Sequence, residues 1–151
     1  MSIEIRVLRE GDDAVLGQVA PEVFDNPVDA QLTAEFLADP RHHIVVALDG
    51  ELVVGFASAI HYLHPDKHPE LWINEVAVAP RWRRRGLAKA MLKGLLQVGK
   101  ELKCTEAWVL TDQANAAARV LYSSAGGTEG VGGSGGDNPI IGYSFPLQPQ
   151  R

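Results

Sequence analysis

Residues 76–88 read Val76-Ala77-Val78-Ala79-Pro80-Arg81-Trp82-Arg83-Arg84-Arg85-Gly86-Leu87-Ala88, and this stretch decides the fold. An apolar strand stops at a proline, three consecutive arginines follow, and a glycine leads into a long amphipathic helix. The first N–H groups of a helix have no intrahelical acceptor, and its macrodipole is positive at that end. Gly86 lets the backbone approach a ligand closely, and Ala88 leaves room beside it. Together with the charges of Arg83, Arg84 and Arg85, this order makes an anion site, and a pyrophosphate suits it. The alternative is a solvated run of charge. Three cations at a helix N-terminus oppose its dipole, however, and their presence there makes more sense with an anion bound.

Working outward, Leu87, Met91, Leu95, Val98 and Leu102 recur at helical spacing, with Lys89, Lys93 and Lys100 on other faces. Gly94 and Gly99 weaken this helix by about 1 kcal/mol each if exposed. Residues 71–78 before it and 106–111 after it read as strands. A helix joining two strands of one sheet makes a parallel crossover. The crevice of such a pair lies at the carboxyl ends, where the arginine loop sits. Residues 43–48 and 52–61 flank Asp49-Gly50, a hairpin signal that demands antiparallel pairing. Residues 2–8 alternate as a first strand, and residues 12–20 are a short helix candidate. A further helix begins near Asp29, carries Leu32, Phe36 and Leu37, and stops at Asp39-Pro40. Asn115 caps a helix ending near Tyr122. Gly126 to Gly136, with seven glycines, reads as a mobile loop, and residues 139–146 read as a final strand. The sum is an α/β domain with a mixed sheet. Neither a repeat nor a linker divides it, so residues 1–151 form a single domain.

The 151-residue length suits one hydrophobic core. With 46% hydrophobic and 22% charged residues, the composition is globular rather than disordered. No apolar run approaches the roughly 18 residues of a membrane span. The N-terminus lacks a signal-peptide core, so a cytoplasmic location is the default expectation. Cys104 is the single cysteine, which excludes an internal disulfide and fits a reducing compartment. The net charge of −5 argues against nucleic-acid binding and favours a cationic partner.

The segment Arg83-Arg84-Arg85-Gly86-Leu87-Ala88 matches the Arg/Gln-x-x-Gly-x-Gly/Ala signature of the GCN5-related N-acetyltransferases. Glu75 to Pro80 resembles the strand that precedes that signature, and Asn115 to Tyr122, as Asn-x-x-Ala-x-x-x-Tyr, resembles a later motif. Residues 71–126 carry nearly all the likeness. The chain departs from the family after the Tyr helix, where Gly-Phe is common and Gly126-Gly127 stands here. The stretch from His61 to Val78 resembles the aminoglycoside N-acetyltransferase branch. The resemblance implies a mostly antiparallel sheet with one splayed parallel pair and about four helices.

It also implies acetyl-CoA as co-substrate. Val76, Ala77 and Val78 would pair with the pantetheine arm. Arg83, Arg84, Arg85, Gly86, Leu87, Ala88 and Lys89 would surround the diphosphate, and Asn115, Ala118 and Tyr122 would line the rest. The Val76 N–H is the candidate oxyanion donor. Tyr122 is the candidate general acid for the departing thiolate, with a half-buried core tyrosine as the alternative. Glu75 is the candidate general base, acting directly or through water, on the expectation that an apolar strand desolvates it. Its alternatives are binding a cationic substrate or a plain edge-strand charge. Asn74, expected on the opposite face by alternation, is a weaker candidate for orienting water or substrate.

His61, His64 and His68 stand close together but do not match a zinc spacing, so no metal is expected. The loop from His61 to His68, with Asp66 and Glu70, is expected to border the acceptor pocket. Cys104 is expected to pack as a small apolar residue. Trp72 and Trp108 either line the cleft or join the core. The expected reaction is direct acetyl transfer to a small cationic amine, aminoglycoside- or polyamine-like, in a ternary complex. A protein N-terminus or lysine is the alternative acceptor, and a non-catalytic acyl-CoA-binding module is the alternative role. No nucleic acid or membrane partner is expected. A homodimer through an exposed C-terminal strand is compatible with the sequence.

Overall fold

The structure, a computed structural model, describes residues 2–131 and 140–147. In chain order it contains β1 (Ile3–Val7), α1 (Ala30–Ala38), β2 (His42–Asp49), β3 (Leu52–Tyr62), β4 (Glu70–Val78), α2 (Leu87–Glu101), β5 (Glu106–Asp112), α3 (Ala116–Ser124), β6 (Thr128–Val131) and β7 (Ile140–Pro146). Short 3-10 turns occupy Asp13–Gly17 and Pro80–Trp82. The strands form one sheet in the order β1-β2-β3-β4-β5-β7-β6, and only β4 and β5 run parallel. Every other neighbouring pair is antiparallel.

Among the described residues three α-helices stand where about four were expected. The candidate at 12–20 yields only a five-residue 3-10 turn. Gly17 and Pro21 bracket its end, and residues 18–20 are pulled into extended pairing instead. Val53 N–H donates to the Gln18 carbonyl and Ala20 N–H to the Val53 carbonyl, each at 2.9 Å. The Asp49-Gly50 signal holds: Asp49 pairs with Leu52 across the turn, and Gly50 sits at φ 62°.

The glycine tract splits. Residues 128–131 form β6, which the sequence did not reveal, and residues 132–136 lie outside the described residues. β7 is therefore flanked by β5 and β6, and it is not the open edge on which the expected pairing with a second copy rested.

α2 packs on β2, β3 and β4 and buries Leu87, Met91, Leu92 and Leu95. Its glycines are contact points rather than weaknesses. A Cβ on Gly94 would lie 3.3 Å from Val45, and one on Gly99 would lie 2.7 Å from Leu147 and 3.2 Å from Leu71. Small residues there let the helix lie close on the sheet. Cys104 is fully buried, as expected, and burial pushes its thiol up.

Two irregularities position the site. Ser58 pairs with Glu75 while Ala59 pairs with Ile73, so Asn74 is an extra, bulged residue. β4 and β5 pair only at Leu71 with Ala107 and Trp72 with Trp108, and then diverge. The two indoles meet edge-to-face at 3.8 Å, and Trp108 Nε1–H donates to Tyr62 Oη at 2.6 Å. This aromatic clamp marks the last point of contact between the strands.

Gly55 lies opposite Val78 on the splayed half of β4. An added Cβ would sit 2.9 Å from the Ala77 carbonyl oxygen, which is backbone and cannot rotate away. Gly55→Ala is expected to lower stability by about 1–3 kcal/mol and the melting temperature by roughly 3–10 °C. Calorimetric melting checks this, and an unchanged transition would show that β3 and β4 are not held this closely.

Candidate active site

The divergence of the parallel strands opens a cleft of about 860 Å³. One wall is the splayed half of β4, Val76 to Val78. The floor is the loop and first turn of α2, from Arg83 and Arg84 through Gly86, Leu87, Ala88 and Lys89. The far wall is α3, with Asn115, Ala118 and Tyr122. All the expected cofactor-site residues line this cleft except Arg85, which is exposed but does not face it. Trp82, Thr111, Ala117, Leu121 and Ser124 also line it and were not anticipated. The α3 residues among them follow from periodicity: Ala117, Leu121 and Ser124 fall on the stripe that already held Ala118 and Tyr122.

Backbone geometry sets the floor. Arg84 and Gly86 both adopt left-handed conformations, at φ 63° and 76°. Such alternation turns successive N–H groups toward one point, forming an anion nest. The first intrahelical bond runs from Ala90 N–H to the Gly86 carbonyl at 3.0 Å. The amides of Leu87, Ala88 and Lys89 therefore have no acceptor within the helix. Gly86 is exposed, so the nest is open to a ligand.

Two hydrogen bonds fix the loop. Trp82 Nε1–H donates to Asp49 Oδ2 at 3.0 Å, tying it to the β2–β3 turn. Arg83 Nε–H donates to the Val78 carbonyl at 2.9 Å, folding that side chain back over the end of β4. Arg81 lies over the Trp82 ring at 5.2 Å.

On β4, Ala79 N–H donates to the Val54 carbonyl at 2.8 Å. By alternation Ala77 also faces β3, and the amides of Val76 and Val78 face the gap left by β5. Val76 N–H thus points into the cleft without a strand partner. Across the gap, Asn115 Oδ1 accepts the Ala118 N–H at 3.0 Å and caps α3, which sets the direction of that helix. Tyr122, on α3, is 7% exposed and its ring lies 5.5 Å from that of Tyr143. Burial raises its phenol above the ordinary value, so it stays protonated well past neutrality.

Glu75 occupies a different place from the one expected. It is exposed, so the desolvation by an apolar strand that motivated the base assignment is absent. Alternation put Asn74 on the opposite face from Glu75, but the bulge brings both side chains to one side. There they line a second cleft of about 490 Å³, on the face of the sheet away from α2. Its other walls are Phe56 and Ser58 of β3, Ile44 of β2, and the segment from Phe24 to Phe36. β4 thus runs from one cleft to the other, and Glu75 and Val76 are consecutive residues on opposite sides of the passage.

The loop from His61 to His68 does not border this second cleft. The segment before and within α1 takes that position, with no sequence signal beyond its amphipathic pattern to reveal it. His61 and His64 pair locally instead. His61 Nδ1 lies 2.7 Å from His43 Nε2, and His64 Nε2 lies 2.7 Å from Glu70 Oε2. Burial, and then the neighbouring His61, push His43 down to about 4. Trp72 and Trp108 line neither cleft. Among the described residues no group of three His, Cys, Asp or Glu side chains is arranged to hold a metal, and no helix is long and apolar enough to cross a membrane.

Comparison with known proteins identifies the family. The model of the acetyltransferase (GNAT) family matches residues 14–126. An uncharacterized N-acetyltransferase of Mycobacterium tuberculosis is 30% identical over 112 residues, covering 72% of this chain and 69% of its own. Among solved structures, the Escherichia coli ribosomal-protein-S18-alanine N-acetyltransferase superposes with a TM-score of 0.70 at 21% identity, covering 99% of this chain and 97% of that one. An aminoglycoside acetyltransferase from an uncultured soil metagenomic sample superposes with a TM-score of 0.73 at 24% identity, covering 89% and 97%. The chain belongs to the GNAT acetyltransferase family, and its enzyme class is that of an acetyl-CoA-dependent N-acetyltransferase.

The nest depends on a conformation that β-branched residues avoid. Gly86→Val is expected to raise the dissociation constant for coenzyme A at least about tenfold, or ~1.4 kcal/mol. Titration calorimetry measures this, with melting as a control for folding. Unchanged affinity would remove the nest from the binding site.

Proposed function

We propose that the larger cleft binds acetyl-CoA, that the smaller one binds a small cationic primary amine, and that acetyl transfer takes place where β4 passes between them. The observation that carries this reading is the passage itself. The unpaired Val76 N–H faces one cleft, and the Glu75 carboxylate lines the other. A nucleophile and a thioester approaching from opposite faces of the sheet would meet there, in a direct attack that needs no acetyl-enzyme.

The roles follow from position. The diphosphate would rest on the nest at Arg84 to Lys89, with the pantetheine arm along Val76 to Val78 in place of the missing strand. An amine arrives mostly as ammonium at neutral pH, and Glu75, directly or through one water, takes its first proton. The nitrogen lone pair then forms the N–C bond, and the Val76 N–H stabilises the resulting oxyanion. Collapse breaks the C–S bond, and the Tyr122 phenol donates its proton to the leaving sulfur. The phenolate recovers a proton from the cationic nitrogen of the nascent amide. The balance is ammonium plus acetyl-CoA giving acetamide, free thiol and one proton, which Glu75 releases to water.

Charge supports a cationic acceptor. Asp25, Asp29 and Glu75 line the smaller cleft, and among the described residues no lysine or arginine does. The net charge of −5 works in the same direction at longer range.

Thiol release with a panel of amines tests the reading. Turnover is expected with small amines. Turnover confined to peptide N-termini or protein lysines would move the acceptor to the macromolecular class, and tight coenzyme A binding with no turnover would mark a non-catalytic acyl-CoA-binding module. Tyr122→Phe is expected to lower kcat about 10²-fold or more with little change in coenzyme A affinity. Because burial raises this phenol, the wild-type kcat profile is expected to show no loss of the acid below about pH 10. Glu75→Gln is expected to flatten the acidic limb of the kcat/KM profile, and an identical profile would leave Glu75 only a binding role.

A further inference from the structure

Ser58 has no part in the scheme so far, yet its placement is unusual. The residue is 7% exposed and lines the smaller cleft. Its hydroxyl has no hydrogen-bond partner among the described residues. The oxygen is not sealed off, so it stands free at the cleft surface, where a polar group entering the cleft can bond to it. Thr33, the other buried polar side chain, has its hydroxyl occupied by the Asp29 carbonyl at 2.8 Å.

Ser58 has polar neighbours on β4 and aromatic ones nearby. Ser58 pairs directly with Glu75 across the β3–β4 ladder, and the bulge turns Asn74 to the same side. Three polar side chains therefore gather at one end. Phe24, Phe36 and Phe56 add an aromatic wall, alongside the more polar segment Asp25 to Asp29. Phe24 stacks on Phe56 with centroids 4.1 Å apart and planes at 19°, and Phe36 flanks His42 at 5.2 Å. Leu32, 65% exposed, and Val28 stand at the rim. Of the nearby carboxylates, Asp29 Oδ1 already accepts the Leu32 N–H at 2.8 Å as the cap of α1. Asp25 adds a second carboxylate beside Phe24, but a molecule bearing many dispersed hydroxyls would still press some of them against the phenyl rings.

We infer that the acceptor is a primary amine carried on an apolar body, alkyl or arylalkyl, and that Ser58 selects it by hydrogen-bonding its nitrogen. The ammonium donates to Ser58 Oγ and to Glu75. After Glu75 has taken its proton, Ser58 continues to accept an N–H bond and aims the lone pair at the passage beside Val76. The apolar body packs against Phe24, Phe36 and Phe56. This inference rests on the acetyltransferase reading and narrows its substrate class.

The test compares 2-phenylethylamine, spermidine and kanamycin, each by calorimetric binding to the enzyme–coenzyme A complex and by turnover with acetyl-CoA. Binding and kcat/KM are expected to be at least tenfold better for 2-phenylethylamine. Ser58→Ala is expected to lower its kcat/KM about tenfold, chiefly through KM. Ser58→Thr, which keeps the hydroxyl, should recover most of the loss, and coenzyme A affinity should not move. Phe36→Ser is expected to erase the preference among the three amines, and it keeps the inference open to refutation should a Ser58 variant fail to fold. Equal or tighter binding of spermidine or kanamycin would overturn the apolar-body assignment. A Ser58→Ala enzyme with unchanged KM, or equal loss in the Thr variant, would overturn the role of the hydroxyl. Binding of an amine with no acetylation of any of the three would count against the acetyltransferase reading instead.

Discussion

The separation of β4 from β5 is the constraint on which the rest of the site depends. Two strands held side by side to their ends would leave no gap for a pantetheine arm and no free amide at Val76. The Trp72–Trp108 clamp, anchored by Tyr62, holds the strands together at their amino ends. Beyond it, the bulge at Asn74 changes the register of β4 against β3, and the strand turns away from β5. The amides of Val76 and Val78, which have no strand partner, would be costly in a dry interior. They are tolerable here because they face a cleft that water or a ligand fills.

The arginine loop depends on the same divergence. Its nest sits at the carboxyl end of β4, and three contacts hold it there: Pro80 stops the strand, Trp82 reaches Asp49, and Arg83 returns to the Val78 carbonyl. Of the three consecutive arginines, Arg84 shapes the backbone through its left-handed φ, Arg83 braces the strand end, and Arg85 does not line the cleft. The anion site is consequently more a property of main-chain amides and the helix dipole than of the arginine charges. Charge on the other side of β4 has the opposite sign, so one strand divides a cleft suited to phosphate from one suited to ammonium.

Features with local causes were legible in the sequence. Alternation and helical spacing placed β2, β3, β4, β5 and α2, the Asp-Gly pair gave the hairpin, and Asn115 gave the cap of α3. The order strand, proline, arginines, glycine and helix located the floor of the larger cleft, and the family resemblance supplied its walls at Val76 to Val78 and at Asn115, Ala118 and Tyr122. Features with non-local causes were not legible. A bulge depends on register between two strands, so alternation assigned Asn74 to the wrong face. β6 was hidden because its glycines favour a loop and only pairing with β7 makes a strand of them. The acceptor-side wall was assigned to the histidine loop because that loop is polar and adjacent in sequence. The segment that fills the position comes from around α1, brought there by packing that no short motif announces.

Amide hydrogen exchange with and without coenzyme A tests the central claim most directly. Added coenzyme A is expected to slow exchange at the amides of Val76 and Val78 and of Arg84 to Lys89 together, since one ligand would complete the missing strand and fill the nest. Protection confined to the arginine loop, with Val76 and Val78 exchanging as before, would contradict the account of the splayed strand as the binding surface.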